Sequence, residues 1–365
     1  MAQAQFKVGV VGATGIAGQQ FLACLKDHPW FKVTALAASS RTAGKPYAEG
    51  IRQENGAAGW WAEGEVPAAF AGMMIQNSEA FDAAGVDIVF TAMDTAPAKI
   101  LEPKYALSTP VISTASAFRM EADAPILIPG VNSAHSILLE QQRKNRGWKG
   151  FVTAQPNCTT TGLGVSLAPL VREFGLKSLF MTSMQAVSGA GRAGGVLTLD
   201  SLDNIVPYIV GEEEKVQREM GKIFGTLENG GIKDASFGVS CTCTRAGVLE
   251  GHTESVFAGL GKPASLEAIK AAMASYAPEE LKGLPTTPEG ARMIKVHDDP
   301  FRPQPRLDRD LGGGMVTSVG RLRQDPVLEN GVKYMLVSHN TKMGAAKGAV
   351  LTAELLVSQG IIKGR

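Results

Sequence analysis

The sequence has almost no net charge, few cysteines and few aromatic residues. Its 365 residues include 36 lysines and arginines against 35 aspartates and glutamates, which leaves a formal net charge of +1. This balance leaves no excess of positive charge of the kind that binds nucleic acid or an anionic membrane. The 4 cysteines are too few for a disulfide framework in a chain of this size, so we expect a reducing, cytoplasmic setting.

Long apolar runs are absent as well. The stretch MAQAQFKVGVVG lacks the charged region and the cleavage site of a signal peptide, and no stretch approaches the length of a membrane span. Cys241 and Cys243 flank one residue of a predicted strand, and we interpret them as pointing to opposite faces, unable to bind one metal ion together. The sequence therefore predicts no membrane segment and no metal site.

The first part of the chain alternates between strand and helix patterns. The strand FKVGVV is followed by the glycine-rich stretch GATGIAG, an amphipathic helix and a second strand at residues 31–39. Such a run forms a βαβ unit of a parallel sheet. Further strands are predicted at residues 86–93, 110–114, 125–131 and 151–155. These features predict a Rossmann-type dinucleotide-binding domain.

The pattern changes beyond Cys158. Long alternating strands are predicted at residues 178–187, 235–246, 252–260 and 315–324. Few helices separate the later strands, which favours a mixed, largely antiparallel sheet. Helices are predicted over residues 201–224 and 341–360, and we expect the second of these to pack on the first domain.

The fold class predicted by these patterns is α/β with two interleaved domains. A chain of 365 residues with 44% hydrophobic content is too long for one ordinary core. Residues 1–157 and 340–365 are expected to form the Rossmann-type domain. Residues 158–339 are expected to form an α+β domain that carries the chemistry.

Glycines occur at three-residue intervals over residues 9–18, between a strand and a helix. Glycine allows a tight turn there and lets backbone N–H groups approach a pyrophosphate at the start of the helix. We therefore expect a dinucleotide to bind at Gly12, Thr14, Gly15 and Ile16. The alternative is a plain strand-to-helix turn in a domain that binds no nucleotide.

The second strand ends in residues that favour NADP over NAD. A carboxylate at this place would bind the adenosine ribose of NAD. Here Ser39, Ser40 and Arg41 offer two hydroxyls and a guanidinium, which suit a 2′-phosphate. The alternative is that Arg41 is a solvated loop residue.

The stretch QPNCTTTG places Cys158 at a predicted helix start. Asn157 and three threonines surround the cysteine, and an apolar helical run follows. The positive end of a helix dipole favours a thiolate, which is the reactive form of cysteine. An isolated cysteine is more often an inert packing residue, so the assignment as a nucleophile needs a partner base.

His252 is the histidine that best fits the role of that base. It follows a glycine between two strand-like runs in TRAGVLEGHTESV, and Arg245 precedes it by seven residues. A cation and an imidazole on either side of a turn could bind a carboxylate and move a proton beside it. Spacing alone does not show that they meet.

Several motifs together resemble one family. QPNCTTTG, MQAVSGAGRAGG, GEEEKVQREMGK and RAGVLEGHTESV occur in the order, and at roughly the spacing, of aspartate-β-semialdehyde dehydrogenases. The strings SMQAVSGAG and VLEGHTESV look most like the branch found in archaea and fungi. The resemblance covers nearly the whole chain, from GATGIAG to NTKMGAAKGAV.

The resemblance implies a reversible, NADP-dependent reduction of L-aspartyl 4-phosphate to L-aspartate 4-semialdehyde, in lysine, threonine and methionine biosynthesis. It implies that Cys158 forms the thioester, that His252 acts as acid–base catalyst and that Gln185 orients the acyl group. A thiolate is both a good nucleophile and a good leaving group, which suits reversible acyl transfer.

The resemblance also implies the substrate-binding residues. Arg245 would bind the α-carboxylate and Glu212 the ammonium group, although each glutamate of the run 212–214 is as well explained as a solvated helix start. Arg119, Asn157 and Lys215 would bind inorganic phosphate.

Two sites near the nicotinamide are implied as well, at Ser188–Gly189 and at Asn340. Thr159 and Gly130 depart from the residues expected in this family. The resemblance further implies a second domain that dimerises, and hence a homodimer or homotetramer. The proline-rich segment 298–314 has no role implied by any of these motifs.

Three other functions remain open from the residues alone. A malonyl-CoA or succinyl-CoA reductase of the same superfamily would share the cysteine, the histidine and the NADP site, but it needs neither an ammonium-binding acid nor a phosphate site. N-acetyl-glutamyl-phosphate reductase has a different cysteine motif. A catalytically silent Rossmann scaffold would not need the combined set of cysteine, glutamine, arginine and histidine.

Overall fold

The computed structural model describes residues 5–191 and 198–364. The chain divides into two compact units. The first comprises residues 1–127, 134–155 and 349–365, and the second comprises residues 128–133 and 156–348. The main part of the second unit therefore begins at Pro156, within the stretch QPNCTTTG and two residues before Cys158.

The helices and strands follow one another along the whole described chain. The α-helices are α1 Ile16–Leu25, α2 Tyr47–Gly50, α3 Ala68–Ala71, α4 Thr95–Ala106, α5 Leu138–Arg146, α6 Cys158–Phe174, α7 Thr198–Ser201, α8 Glu212–Ile223, α9 Leu266–Ala274, α10 Pro305–Asp308 and α11 Lys347–Ser358. The strands are β1 Phe6–Val11, β2 Phe31–Ala38, β3 Ile75–Asn77, β4 Ile88–Thr91, β5 Val111–Ser113, β6 Val152–Ala154, β7 Leu176–Gln185, β8 Ile205–Val206, β9 Thr226–Glu228, β10 Gly231–Lys233, β11 Gly238–Ala246, β12 His252–Leu260, β13 Ile294–Val296, β14 Thr317–Asp325 and β15 Gly331–Ser338.

The first unit contains a six-stranded sheet in the order β3-β2-β1-β4-β5-β6. All of its strand pairs are parallel, which confirms the predicted Rossmann-type sheet. Its strands β4, β5 and β6 are buried throughout, as expected for a parallel sheet covered by helices on its faces. Val89, Val111 and Val152 from these strands share one apolar core cluster with Leu101 and Tyr105 of α4.

The strand predicted at residues 125–131 is largely wrong. Only an isolated parallel bridge between Ile126 and Ala154 forms there. Pro125 and Pro129 have no N–H group to donate, which limits the hydrogen bonds that this segment can make to a neighbouring strand.

The second unit contains a seven-stranded sheet in the order β13-β14-β15-β12-β7-β11-β8. The pairs β13–β14 and β7–β11 are parallel and the other four are antiparallel, which confirms a mixed, largely antiparallel sheet. Helices α6 and α8 pack on this sheet. The alternate side chains of β7, including Phe180, are exposed in this chain.

Cys241 and Cys243 lie on the same face of β11, and both are buried. The interpretation that they point to opposite faces is wrong, because residues two apart in a strand share a face. Burial raises the pKa of the Cys243 thiol to about 12, so this thiol stays protonated near neutral pH.

The single helix predicted over residues 201–224 is also wrong. The chain instead forms α7, the short strand β8 and then α8. Pro207 interrupts the helical pattern, and Gly211 adopts a φ of +66° immediately before α8. The apolar residues of this segment are therefore divided between a strand at the edge of the sheet and a helix.

No helix in the described ranges is both long enough and apolar enough to cross a bilayer. Nor do these ranges contain a group of three or more histidine, cysteine, aspartate or glutamate side chains that could bind a metal ion.

A buried carboxyl group joins two strands of the first sheet. Glu102 of α4 is fully buried and accepts hydrogen bonds from the hydroxyls of Thr91 and Ser113, each at 2.6 Å. These two residues end β4 and β5. Burial raises the pKa of Glu102 to about 7, although the two hydrogen bonds partly oppose that shift.

We predict that Glu102→Gln stabilises the protein more at pH 8 than at pH 5. A folded pKa above the unfolded value means that the carboxyl destabilises the fold as pH rises from about 4.5 to about 7. The variant should therefore gain about 2 to 3 kcal/mol in unfolding free energy relative to wild type between these two pH values, measured by urea denaturation. The surface variant Glu65→Gln is the control. A Glu102→Gln effect that is independent of pH would contradict the prediction.

Candidate active site

Four neighbouring strands place four polar side chains in one buried row. Arg245 of β11 pairs with Gln185 of β7, and His252 of β12 pairs with Ser338 of β15. The antiparallel register of β12 and β7 puts His252 beside Gln185. All four residues are almost completely buried, on the face that α6 covers. The row therefore brings together four residues that are spread over positions 185 to 338 of the sequence.

Cys158 begins α6 and faces this row. Its sulfur lies 3.1 Å from Nε2 of His252. Asn157 is the N-cap of the helix, and its side-chain oxygen accepts a hydrogen bond of 2.8 Å from the N–H of Thr159. The first residue of a 17-residue helix lies at the positive end of the helix dipole, where a negative charge is favoured. The predicted helix start is thus present, and His252 lies within hydrogen-bond distance of the cysteine sulfur.

Two glycines allow α6 to approach its neighbours this closely. A Cβ atom on Gly344 would lie 2.8 Å from Cβ of Cys158 and 3.0 Å from its Cα. A Cβ atom on Gly162 would lie 2.5 Å from Cβ of Ser338. Gly344 belongs to the π-helical turn Lys342–Ala346, a feature often found next to functional sites. The position of the cysteine therefore depends on the absence of side chains at both places.

His252 is a neutral imidazole whose proton faces the sulfur. The N–H of Ala186 donates to Nδ1 at 3.0 Å, so Nδ1 must accept and the proton of the neutral ring lies on Nε2. Burial, together with the nearby charge of Arg245 and with His339, lowers the pKa of His252 to about 3. The ring can therefore donate Nε2–H to a thiolate or to a developing oxyanion without carrying a positive charge of its own.

Glu212 is the centre of a buried hydrogen-bond network. It accepts from the side-chain amides of Asn157 at 2.8 Å and of Gln185 at 3.1 Å, and Nζ of Lys215 lies 3.7 Å away. The Gln185 amide also donates to the hydroxyl of Thr159. This network joins the start of α6, the end of β7 and the start of α8.

The three successive glutamates at the start of α8 have different surroundings. Glu212 is buried in the network, Glu213 accepts a hydrogen bond of 2.9 Å from the N–H of Cys243, and Glu214 is exposed. The structure therefore brings Glu212, rather than its two neighbours, to the cysteine helix.

Sequence reasoning missed Glu219. It is buried, and it accepts a hydrogen bond of 2.7 Å from the N–H of Asn157, immediately before the cysteine. The signal was available, because Glu219 follows Glu212 by seven positions and Lys215 by four, so that all three share one face of α8.

Arg245 is held beside the histidine by a backbone carbonyl. Its Nη1 donates to the oxygen of Ala186 at 2.6 Å. Its Nε is buried and has no hydrogen-bond partner within the described part of the chain. Burial lowers the pKa of Arg245, yet an arginine remains charged near neutral pH. A buried cation of this kind suits an anionic group of a ligand.

The predicted residues Ser188, Gly189 and Asn340 lie against the same row. A Cβ atom on Gly189 would be 3.1 Å from Arg245 and 3.3 Å from His252. Asn340 donates to the hydroxyl of Ser188 at 2.8 Å and accepts from the N–H of Gly251 at 2.9 Å. Its amide thus joins the turn after β7 to the turn before β12.

The remaining predicted site residues belong to the first unit. Gly12 has a φ of +81°, and a Cβ atom there would lie 2.2 Å from the carbonyl oxygen of Ala92. Gly15 is the exposed N-cap of α1 and makes no side-chain cap, while Thr14 and Ile16 beside it are partly exposed. This helix start fits the phosphates of a dinucleotide, because its N–H groups are not capped by a side chain.

Ser39, Ser40 and Arg41 are exposed at the end of β2, as a contact to a 2′-phosphate requires. Arg119 is buried in the first unit. Its Nε donates to the carbonyl of Gln155 at 2.8 Å and its Nη2 to that of Thr114 at 2.9 Å. The guanidinium is therefore fixed by backbone oxygens on two sides.

Two family profiles together match most of the chain. The profile described as the NAD binding domain of semialdehyde dehydrogenase matches residues 7–138. The profile described as the dimerisation domain of semialdehyde dehydrogenase matches residues 167–343.

Individual relatives match over nearly their full length. The aspartate-semialdehyde dehydrogenase of Archaeoglobus fulgidus is 45% identical over 361 residues, which cover 98% of this chain and 100% of the relative. That of Methanothermobacter thermautotrophicus is 44% identical over 351 residues, covering 96% and 98%. The crystal structure of aspartate semialdehyde dehydrogenase with NADP from Candida albicans has a TM-score of 0.87 and 37% identity, covering 98% of this chain and 100% of that chain. The predicted resemblance to archaeal and fungal proteins is confirmed.

We predict that Gly344→Ala lowers turnover by at least about tenfold, because the added methyl group would meet backbone atoms of Cys158 that cannot rotate away. Steady-state kinetics on the purified variant would measure this. Gly238→Ala is the matched control, since a Cβ atom there meets nothing within 4 Å. Turnover of Gly344→Ala within twofold of the control would show that the close approach is not needed.

Proposed function

Because the chain belongs to the aspartate-semialdehyde dehydrogenase family, we propose that it reduces L-aspartyl 4-phosphate to L-aspartate 4-semialdehyde, reversibly, through a thioester on Cys158. The observation that carries this proposal is the 3.1 Å contact between the sulfur of Cys158 and Nε2 of His252 at the start of a helix. This arrangement places a nucleophile beside a proton donor at the positive end of a helix dipole, which favours the thiolate form.

The thiolate of Cys158 attacks the acyl carbon, and inorganic phosphate leaves as the thioester forms. The Nε2–H of His252 is directed at the sulfur, and so it can donate to the oxyanion that develops beside that atom. Gln185 is held by Thr159 and Glu212, which orients its amide at the start of α6, where it would contact the acyl group. Addition of a hydride to the thioester carbon gives a thiohemiacetal on Cys158, and its collapse breaks the carbon–sulfur bond, which releases the aldehyde and regenerates the thiolate.

The charges of the site match those of an amino-acid substrate. Arg245 is a buried cation that would bind the α-carboxylate, and Glu212 is a buried anion that would bind the ammonium group. Lys215 is more exposed and would bind phosphate. Asn157 shares its amide between Glu212 and the helix start, so it orients these groups.

NADP would be held at Gly12, Thr14, Gly15 and Ile16 for its phosphates and at the residues after β2 for its ribose phosphate. When bound, the reduced cofactor supplies the hydride for the reduction. Ser188, Gly189 and Asn340 would contact the nicotinamide end.

The rival substrate, malonyl-CoA or succinyl-CoA, is not favoured. Neither acyl group carries an ammonium, so the Glu212 carboxylate, which is already bonded to Asn157 and Gln185, would gain no contact from such a ligand. A site that offers a hydrogen-bonding group to an ammonium discriminates against a substrate that lacks it.

We also propose that two copies of the chain associate through the exposed face of the second sheet. The matched dimerisation profile covers this sheet from residue 167 onwards, and Phe180 on that face is 47% exposed. A sheet face with an exposed aromatic residue is well suited to pack against a second copy. A homotetramer would require a further contact between two such dimers. A content of only four cysteines in 365 residues fits a reducing, cytosolic location.

An assay of NADPH oxidation with aspartyl phosphate, malonyl-CoA and succinyl-CoA tests the substrate. We expect turnover with aspartyl phosphate, at least about a hundredfold slower turnover with either thioester and none with Cys158→Ala. Preferred turnover of a CoA thioester would overturn the assigned substrate. Near-normal activity of Cys158→Ala would overturn the covalent mechanism.

The cofactor preference is tested by Arg41→Ala. Loss of a charge-assisted contact to the 2′-phosphate should raise the KM for NADPH about tenfold to a hundredfold and leave the KM for NADH unchanged. Arg52→Ala serves as the matched control, because the exposed side chain of this arginine, in the same unit, bonds only to the local carbonyl of Gly56 among its described contacts. Equal changes for NADPH and NADH would exclude the assigned role.

A further inference from the structure

The segment 298–314, which the sequence motifs leave without a role, is organised by one buried carboxylate. Asp308 is fully buried and accepts from Nε of Arg302 at 2.8 Å and from the N–H of Gln304 at 2.6 Å. Nε2 of His297 lies 3.4 Å from the same carboxylate. These contacts fix the path of the segment through α10 and on to residues 309 and 310.

Arg309 contacts the turn that leads into β12. Its Nη1 donates to the carbonyl oxygen of Glu250 at 3.1 Å. Gly251 has a φ of +95°, and a Cβ atom on it would lie 3.0 Å from Cβ of Arg309. The side chain of Arg309 thus covers Gly251 and bonds to the residue before it. His252 is the next residue in the chain.

The carboxylate of Glu250 fixes the same turn from the other side. It accepts from the hydroxyl of Thr341 at 2.8 Å, and it lies 3.3 Å from Nε2 of His339, which is fully buried. Asp310 adds a second carboxylate, 3.5 Å from Nε2 of His339 and 2.8 Å from Nζ of Lys342. Burial opposes ionisation of Glu250, but the nearby His339 ring and the hydrogen bond from Thr341 lower its pKa, so the carboxylate is charged.

These contacts reach the reacting groups through Gly251. The N–H of Gly251 donates to Asn340, and Asn340 donates in turn to Ser188, next to the glycine that packs on Arg245 and His252. The backbone before His252 is therefore held from both sides. A shift of the turn would move the imidazole relative to the sulfur of Cys158.

We propose that the segment 298–314 is a positioning element for His252, in which Arg309 and Asp310 fix the Glu250–Gly251 turn. Neither residue touches the reacting atoms. The inference rests on the proposed function only in taking Cys158 and His252 as the reacting pair, whichever acyl group they handle.

The test compares matched pairs of variants. Arg309→Met keeps an unbranched stem over Gly251 but removes the hydrogen bond to Glu250, and Arg306→Met makes the same change on the exposed face of α10. Asp310→Asn removes a charge next to His339 and Lys342, and Asp298→Asn removes one that pairs only with Lys270 among its described contacts. His252→Ala removes the imidazole, so this variant shows how the site behaves without that ring.

The readouts are turnover, the KM for NADPH and the rate of alkylation of Cys158 by iodoacetamide, followed by peptide mass. We expect Arg309→Met and Asp310→Asn to lower kcat about tenfold with an unchanged KM for NADPH. The alkylation rate of Cys158 in these two variants should differ from the wild-type rate by at least about threefold, in the same direction as in His252→Ala. Both control variants should behave as wild type.

Three outcomes would overturn the proposal. In the first, both variants match their controls. In the second, kcat falls but the alkylation rate of Cys158 stays at the wild-type value. In the third, the buried Cys241 and Cys243 are alkylated as well, which would indicate general loosening of the unit. Alkylation needs no substrate, so it tests the positioning role even if aspartyl phosphate proves not to be turned over.

Discussion

The contact between the sulfur of Cys158 and Nε2 of His252 is the constraint on which the rest of the second unit depends. It requires the first turn of a helix to meet the first residue of a strand at 3.1 Å. That approach is possible because Gly344 and Gly162 leave no side chain between α6 and its neighbours. Asn157 then caps the helix, so that the N–H groups beside the cysteine are ordered before any substrate binds.

A second constraint is the burial of charge around this contact. Glu212 and Glu219 are satisfied by the side chain and backbone of Asn157 and by the Gln185 amide, so that these groups orient one another. Arg245 differs from them, because only part of its guanidinium is bonded within the described chain. The side chains of such a site are already ordered before a ligand binds, so binding loses little conformational entropy. A ligand whose negative charge pairs with Arg245 adds to the stability of the site.

The environment of His252 decides what kind of proton chemistry the site supports. A backbone N–H at Nδ1 and nearly complete burial disfavour the imidazolium. The ring therefore works best as a neutral donor through Nε2, which suits stabilisation of a thiolate or oxyanion. Such a donor must be placed accurately because it has no net charge to act over a distance, which explains why the turn before it is held by so many contacts.

The sequence by itself determined the local features: the βαβ unit around Gly12, the capped helix start at Cys158, the mixed sheet and the family. Each depends on residues close together in the chain or on motifs that are read in order. The tertiary structure alone decided that Glu212 rather than Glu213 or Glu214 enters the network, that Glu219 joins it, and that Arg309 meets Gly251. It also decided that residues 125–131 form only a bridge and that residues 205–206 pair with β11. These outcomes depend on strand register and on helix packing between distant segments, where the same local pattern is compatible with several partners and burial selects one.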